Sequence, residues 1–306
     1  MIESSKAGGR AIFRRIFFNS QELRAGWRLL IFLAMVAALI KGSSLVFRRF
    51  LPGLDDDSSF LLREVTDFLV FLFASWVMGR MEHRTISDYG LPWRKMFRAQ
   101  FWQGALLGFA AITGLLVAMR IAGVFSFGSF ALHGPDILKW GAIWLLVFIL
   151  VALREEFRAR GYALFTLSSG IGFWPAAFVM SGFFALGHAF NAHETLAGVA
   201  SVVLFGLLLC LFLRRSGNLW CAVGFHAAYD WGQTFFGVPD SGMAPYHHLF
   251  NSVFSGPWWL TGGIVGPEAS VLTPIALALV ALVFSRYYRE HRYQLHRTPM
   301  MPDASL

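Results

Sequence analysis

The chain has 306 residues, 56% of them hydrophobic, 16% aromatic and only 14% charged, with 26 Lys and Arg against 18 Asp and Glu and a formal net charge of +8. Soluble domains carry roughly 25% charged residues, and this composition excludes disorder, collagen and a disulfide scaffold. A mean hydropathy of +0.56, spread over several long apolar runs, makes lipid the solvent for most of the chain; the positive charge is therefore read against membrane topology, and nucleic acid is not expected as a partner.

Residues 1–26 read as a basic juxtamembrane segment, with Lys6, Arg10, Arg14, Arg15 and Arg24 among Ile12, Phe13, Ile16, Phe17 and Phe18. It lacks a small-residue cleavage site and is not read as a signal peptide. A transmembrane domain over 27–288 follows, with apolar spans at 27–47, 60–78, 101–124, 140–165, 173–190, 196–213, 219–236 and 272–288. Each approaches the ~20 residues a bilayer requires, and none alternates as a barrel strand would. The expected fold is all-α, a polytopic integral membrane protein of about eight transmembrane helices, closed by a basic tail over 289–306. Two cysteines, Cys210 and Cys221, lie in apolar context without CxxC spacing and read as core residues.

With the N-terminus cytoplasmic, twenty of the 26 basic residues fall on the inner side, and the connection 238–271 carries no Lys or Arg. Both termini are expected in the cytoplasm. The run Asp55, Asp56, Asp57 reads as a solvated turn outside.

Ionisable groups inside apolar spans carry the functional information, because each is costly unless paired or facing a wet cavity. The fourth span ends in Arg154, Glu155, Glu156, Arg158 and Arg160. On a helix Glu156 and Arg160 are i,i+4 with the acid first, the favourable order for a pair, while Glu155 points about 100° away. Glu155 is thus free to act as a general base, unless the helix ends here and the charges are interfacial. In the fifth span Phe184 and His188 lie one turn apart, with Gly182 and Gly187 read as sites of close helix approach. The seventh span puts His226 and Asp230 on one face, a pairing suited to orienting an imidazole or to a metal shell. Asp67 is expected to pair with Arg63 one turn earlier. His193 and Glu194 begin an HExxH, but Ala197 stands where its second His should be, and no GxSxG, P-loop or GxGxxG opening a helix occurs.

Glu155, Glu156 and Arg160 (EExxxR), then Phe184 to His188 (FxxxH) and His226 to Asp230 (HxxxN/D), resemble the CPBP family of intramembrane proteases, which includes Rce1-like and Abi proteins. LRAGWRLL at 23–30 and DYGLPWRK at 88–95 also look like bacterial members. The resemblance implies an Rce1-like core in a bacterial plasma membrane and an endopeptidase acting on a membrane-associated or lipidated peptide or a secreted peptide precursor. It implies that Glu155 with His188 activates water, that Glu156 and Arg160 form a supporting pair, and that His226 and Asp230 bind the oxyanion or orient a catalytic group. Asp230 stands where the Rce1 branch has Asn. An ionised aspartate cannot donate to an oxyanion, so Asp230 is protonated, orients His226 or ligates a metal. The family admits both a glutamate mechanism and a metal one; Glu155, His188, His226 and Asp230 are the set that would hold a divalent ion such as zinc.

Straight helices normal to the bilayer would leave Glu155 and His188 on the order of 10 Å apart in depth, and tilt would have to close the gap. The readings from other classes are an ion- or proton-coupled transporter and a catalytically silent scaffold. Transporters usually show repeated halves, and no internal symmetry is visible here. The C-terminal Asp303, Ala304, Ser305, Leu306 carries no CaaX cysteine, so the chain is not expected to be its own prenylated substrate.

Overall fold

The computed structural model describes residues 16–19, 22–191, 193–243 and 246–293. Lys6, Arg10, Ile12, Phe13, Arg14, Arg15 and Arg297, and most of the basic tail, lie outside them. Among the described residues nine helices have ten residues or more: α1 Ala25–Phe50, α2 Asp56–Met81, α3 Ala99–Ile121, α4 Pro135–Arg160, α5 Tyr162–Ile171, α6 Phe173–His188, α7 Leu196–Ser216, α8 Trp220–Phe236 and α9 Leu272–Tyr287. Two strand pairs, Phe18–Asn19 with Glu22–Leu23 and Phe125–Ser126 with Val253–Phe254, are the only sheet among them.

Four helical stretches are long and apolar enough to cross a membrane: Ala25–Phe50, Ala99–Ile121, Pro135–Ile171 and Leu196–Ser216. Helices α6 and α9 are apolar but have 16 residues each, about 24 Å at 1.5 Å per residue. The chain is an all-α protein of the integral membrane class. The run Asp55, Asp56, Asp57 is exposed, as expected, but opens a helix: Asp55 caps α2, accepting from Ser58 N at 2.9 Å, and Asp56 and Asp57 lie in the first turn, where the helix dipole favours acids.

The centre of the bundle is α8. All of its residues but Trp231 and Phe236 are buried, so it has no lipid face and is wrapped by its neighbours. Its closest neighbour is α3, and glycines make the approach. A Cβ added to Gly104 would stand 2.0 Å from Cys221 O, one on Gly108 2.1 Å from Phe225 O, and one on Gly224 2.1 Å from Phe101 O. The GxxxG of α3 therefore sets how near the central helix sits to its partner. The expectation that Gly182 and Gly187 do this is corrected: a Cβ on Gly182 would meet nothing within 4 Å, and one on Gly187 only Arg158 Nη2. Cys210 and Cys221 are free and buried, as expected of core residues.

The fourth predicted span is longer than expected. Gly161 (φ −81°, ψ −127°) interrupts the helix, but the helical chain resumes as α5 and runs to Ile171 before Gly172, at a φ of +87° that favours glycine, turns it back into α6. Helices α5 and α6 pack along each other below that turn. Glu155 lies 16 residues before Ile171 and His188 lies 15 residues after Phe173. Both residues line one cavity, so the gap in depth that straight, normal helices would leave between them is closed.

The connection between α8 and α9 is strapped across one end of the bundle. Tyr246 donates to Asp57 Oδ1 at 2.9 Å, Trp144 Nε1 donates to Tyr246 O at 3.2 Å, and Trp140 stacks on His247 with ring centroids 3.7 Å apart. The strap brings residues 240–243 and 268 over the space between α2, α4, α6, α7 and α8.

Candidate active site

That space is a cavity of about 360 Å³ whose lining includes Glu155, His188, His226 and Asp230 together with Phe148, Phe184, Phe205 and Leu277. Helices α4, α6 and α8 each contribute one of the three motifs.

Glu156 and Arg160 are wholly sheltered, 0% and 1% exposed. Arg160 Nη1 donates to Glu156 Oε1 at 3.0 Å, and the guanidinium lies over Phe184 with its carbon 4.5 Å from the ring centroid. Gly206 of α7 makes room for it, since a Cβ there would stand 2.8 Å from Arg160 Nη2. The same Glu156 oxygen also meets His226 Nδ1 at 2.8 Å. A carboxylate only accepts, so Nδ1 carries the hydrogen and the ring is held with Nε2 turned to the cavity side. Nε2 stands 3.2 Å from Asp230 Oδ2 and 3.7 Å from Glu155 Oε2. The supporting pair is therefore also the orienting partner of His226, a link between α4 and α8 that helix periodicity could not supply.

Glu155 diverges from Glu156 as the 100° step requires. Arg154 Nη2 holds its Oε1 at 2.7 Å, while Arg154 Nε donates to Glu64 Oε2 at 2.5 Å. Glu64 is thus the paired acid of α2, where sequence reading expected Asp67 to pair with Arg63. Among the described residues Arg63 and Asp67 form no ion pair, and Arg63 is exposed. The signal was present: Glu64, Phe68, Phe71, Ser75 and Met78 repeat at helical spacing and are the buried face of α2.

His188 closes α6. Its Nδ1 lies 2.9 Å from Phe184 O, one turn back, and because a carbonyl cannot donate, Nδ1 is protonated and Nε2 is the free acceptor. The described residues between His188 and α7 are irregular, with Asn191 on the cavity wall; non-helical backbone in a membrane bundle is tolerated where it lines a polar space.

Beyond Asp230 the structure gathers residues that the motifs do not contain. Ligand atoms of Asp230, Asp240 and Glu268 lie within 4.8 Å of one another. Gln233, one turn past Asp230 on the same face of α8, donates from Nε2 to Asp240 Oδ1 and Glu268 Oε1, both at 3.2 Å. Ser241, in the left-handed region at φ +47°, donates to Glu268 Oε2 from its N at 3.1 Å and from its Oγ at 2.9 Å. Burial pushes the Asp240 carboxyl well above the usual carboxylate range, and the Asp230 and Glu268 carboxylates push it the same way. Glu268 is also raised, by burial and by Asp230, against the hydrogen bond from Ser241.

The metal expectation meets this geometry only in part. Of Glu155, His188, His226 and Asp230, only Asp230 belongs to the group whose ligand atoms gather within 4.8 Å. That group is carboxylate-only, a donor set for hard cations and not for zinc, which prefers nitrogen and sulfur.

A search of curated proteins finds no match. A family model does match, described as Type II CAAX prenyl endopeptidase Rce1-like, over residues 137–232. The matched segment runs from the start of α4 to Gly232 of α8 and contains all six motif residues, Glu155, Glu156, Arg160, His188, His226 and Asp230. Over residues 137–232 the chain is therefore similar to an Rce1-like endopeptidase domain.

Proposed function

We propose that the protein is an intramembrane endopeptidase that hydrolyses a peptide bond in a membrane-associated, lipidated or secreted-peptide substrate. The observation that carries this is the meeting of Glu155, His188, His226 and Asp230 around one cavity inside an apolar bundle. Each is held by a second residue: Glu155 by Arg154, His188 by the Phe184 carbonyl, His226 by Glu156, and Asp230 by His226.

In this reading a water sits between Glu155 and His188. Glu155 takes one proton as the water oxygen attacks the carbonyl carbon, and His188 Nε2 accepts a hydrogen bond from the other O–H, fixing the water's orientation. The carbonyl oxygen becomes an oxyanion, and His226, which in this reading carries a second proton on Nε2 besides the one on Nδ1, is the donor to it. Asp230 steadies Nε2 through the 3.2 Å contact and so acts on the imidazole rather than as a direct donor. Glu155 then returns its proton to the nitrogen as the C–N bond breaks, leaving a carboxylic acid and an amine. Phe148, Phe184, Phe205 and Leu277 on the cavity wall suit an apolar substrate segment. The eight apolar spans and the Lys and Arg pattern support both termini in the cytoplasm, although Arg154, Arg158 and Arg160 belong to the site and its support and not to a loop.

Glu155→Gln tests the reading. Peptide cleavage should fall by orders of magnitude while abundance and melting temperature hold; cleavage that persists removes Glu155 from the role of base.

A further inference from the structure

Asp240 and Glu268 lie outside the matched segment 137–232, in a connection that holds no Lys or Arg. The chain nevertheless carries both to Asp230. Asp240 opens a tight turn, its N donating to Met243 O at 3.1 Å while Met243 N donates to Asp240 O at 2.8 Å. Glu268 sits in the single 3-10 turn Pro267–Ala269. Gly242 N donates to Val265 O at 3.0 Å, and a Cβ on Gly266 would stand 2.5 Å from Pro239 O, so the two limbs of the connection are locked together. Both acids then meet Gln233 of α8.

Three carboxylates this close repel one another unless something positive is shared among them. Among the described residues no Lys or Arg pairs with any of the three, and their one ion pair joins His226 Nε2 to Asp230 Oδ2. Protons can relieve the repulsion, so charge alone does not single out a cation. Gln233 does. It is 0% exposed, its Nε2 is taken up by Asp240 and Glu268, and its Oε1 has no hydrogen-bond partner among the described residues. A buried amide oxygen left bare is costly. A cation held by the neighbouring carboxylates answers it, either directly or through a water of its coordination shell, whose O–H donates to Oε1.

The donor set and its spacing fit one class of ion. Atoms that all lie within 4.8 Å of one another have a common point no more than about 2.8 Å from each, close to the 2.3–2.6 Å of calcium–oxygen bonds. Calcium takes six to eight oxygens in flexible geometry, which leaves room for water besides the three acids, whereas magnesium demands a tight octahedron. Asp230 has two carboxylate oxygens, so it can hold His226 Nε2 with one and the ion with the other. Asp240, Ser241 and Glu268 line the cavity, which gives the ion a polar way in.

We propose that Asp230, Asp240, Glu268 and the Gln233 amide bind one hard divalent cation of calcium's size, which clamps the connection 238–271 onto α8. The site is separate from the Glu155 and His188 pair and stands whether or not the cavity hydrolyses peptides.

The test uses the full chain in zwitterionic detergent at pH 7, freed of metals with a chelator and then dialysed. Calcium chloride should raise the melting temperature by about 5 °C, with half of the effect between about 0.1 and 1 mM; magnesium and zinc should do less. Terbium, a luminescent stand-in for calcium, should bind once and be displaced by calcium, its emission excited through Tyr229, which neighbours all three carboxylates. Asp240→Asn with Glu268→Gln should weaken terbium at least tenfold, and Glu155→Gln should leave it unchanged. If the double variant does not fold, Glu268→Gln alone must weaken terbium at least threefold. The proposal is overturned if 10 mM calcium leaves the melting temperature where it was, which gives the cluster to protons, or if terbium binding survives the carboxylate substitutions. Zinc binding more tightly than calcium, and lost with Glu155→Gln, would also overturn it by moving the metal to the motif residues.

Discussion

Two polar clusters lie within this apolar bundle, and they are built from the same residue types to opposite ends. One is centred on Glu82, at the C-cap of α2. Tyr162 and Tyr89 donate their hydroxyls to it, Arg28 Nη1 lies 3.2 Å from its Oε2, and Arg84 Nε 4.0 Å. Arg28 also donates to Ser169 at 2.8 Å, so one carboxylate ties α1, α2, α5 and the turn before Tyr89 together. Tyr89 and Tyr162 are 1% and 0% exposed; burial and the Glu82 carboxylate push the Tyr89 phenol above its usual range. The second cluster surrounds Glu155 and His226. It borders a cavity and holds three neighbouring carboxylates at one wall. Buried charge by itself therefore does not mark a site in a membrane protein. The Glu82 cluster is closed, a clamp; the Glu155 cluster is open, with room for a reactant.

Substitutions should separate the two kinds of cluster. The largest effect belongs to the frame that both depend on: Gly108→Leu would drive a side chain into the Phe225 carbonyl, 2.1 Å from its Cβ. The expected outcome is loss of folded protein, read as loss of a monodisperse peak in detergent. Next, Glu82→Ala should cost about 3 kcal/mol by leaving Arg28 without its carboxylate. Its residual activity should track the folded fraction in a thermal melt; a loss of activity beyond that fraction would make the clamp part of the site. Glu156→Ala removes the acceptor at His226 Nδ1 and should lower turnover by about 10- to 100-fold, in the range of lost orienting partners. KM should hold steady in a fluorogenic peptide assay.

The smallest expected effect is on pH dependence. Asp240 binds its proton more tightly folded than unfolded, so wild type loses stability as pH rises from about 4, near the ordinary aspartate pKa, towards the raised folded value. Asp240→Asn should melt at a higher temperature than wild type at pH 7 and show little difference at pH 4. Equal gains at both values would mean that the carboxyl is not raised.

Much of this was legible in the sequence, and what was missed has identifiable causes. The helices follow from apolar runs, and the separation of Glu155 from Glu156 follows from the 100° step between them. The meeting of Glu155 with His188 was not legible, because straight, normal helices would leave the two apart in depth and only the packing of the helices brings both to one cavity. The Gly104 and Gly108 pair is a readable GxxxG, eclipsed by attention to glycines near the motifs. Glu64 lay on a periodic buried face, and Gln233 on the face of His226 and Asp230. Asp240 and Glu268 could not have been placed: they sit in an irregular connection, and only the docking of the strap through Tyr246, Trp140 and His247 carries them to the cavity.

The central claim is that the open cluster hydrolyses peptide bonds. The most direct measurement compares newly formed peptide termini in membranes of cells expressing wild type or Glu155→Gln, at matched abundance and melting temperature. Fragments that appear with wild type and vanish with Glu155→Gln are the predicted result. Fragments produced equally by both proteins would contradict it.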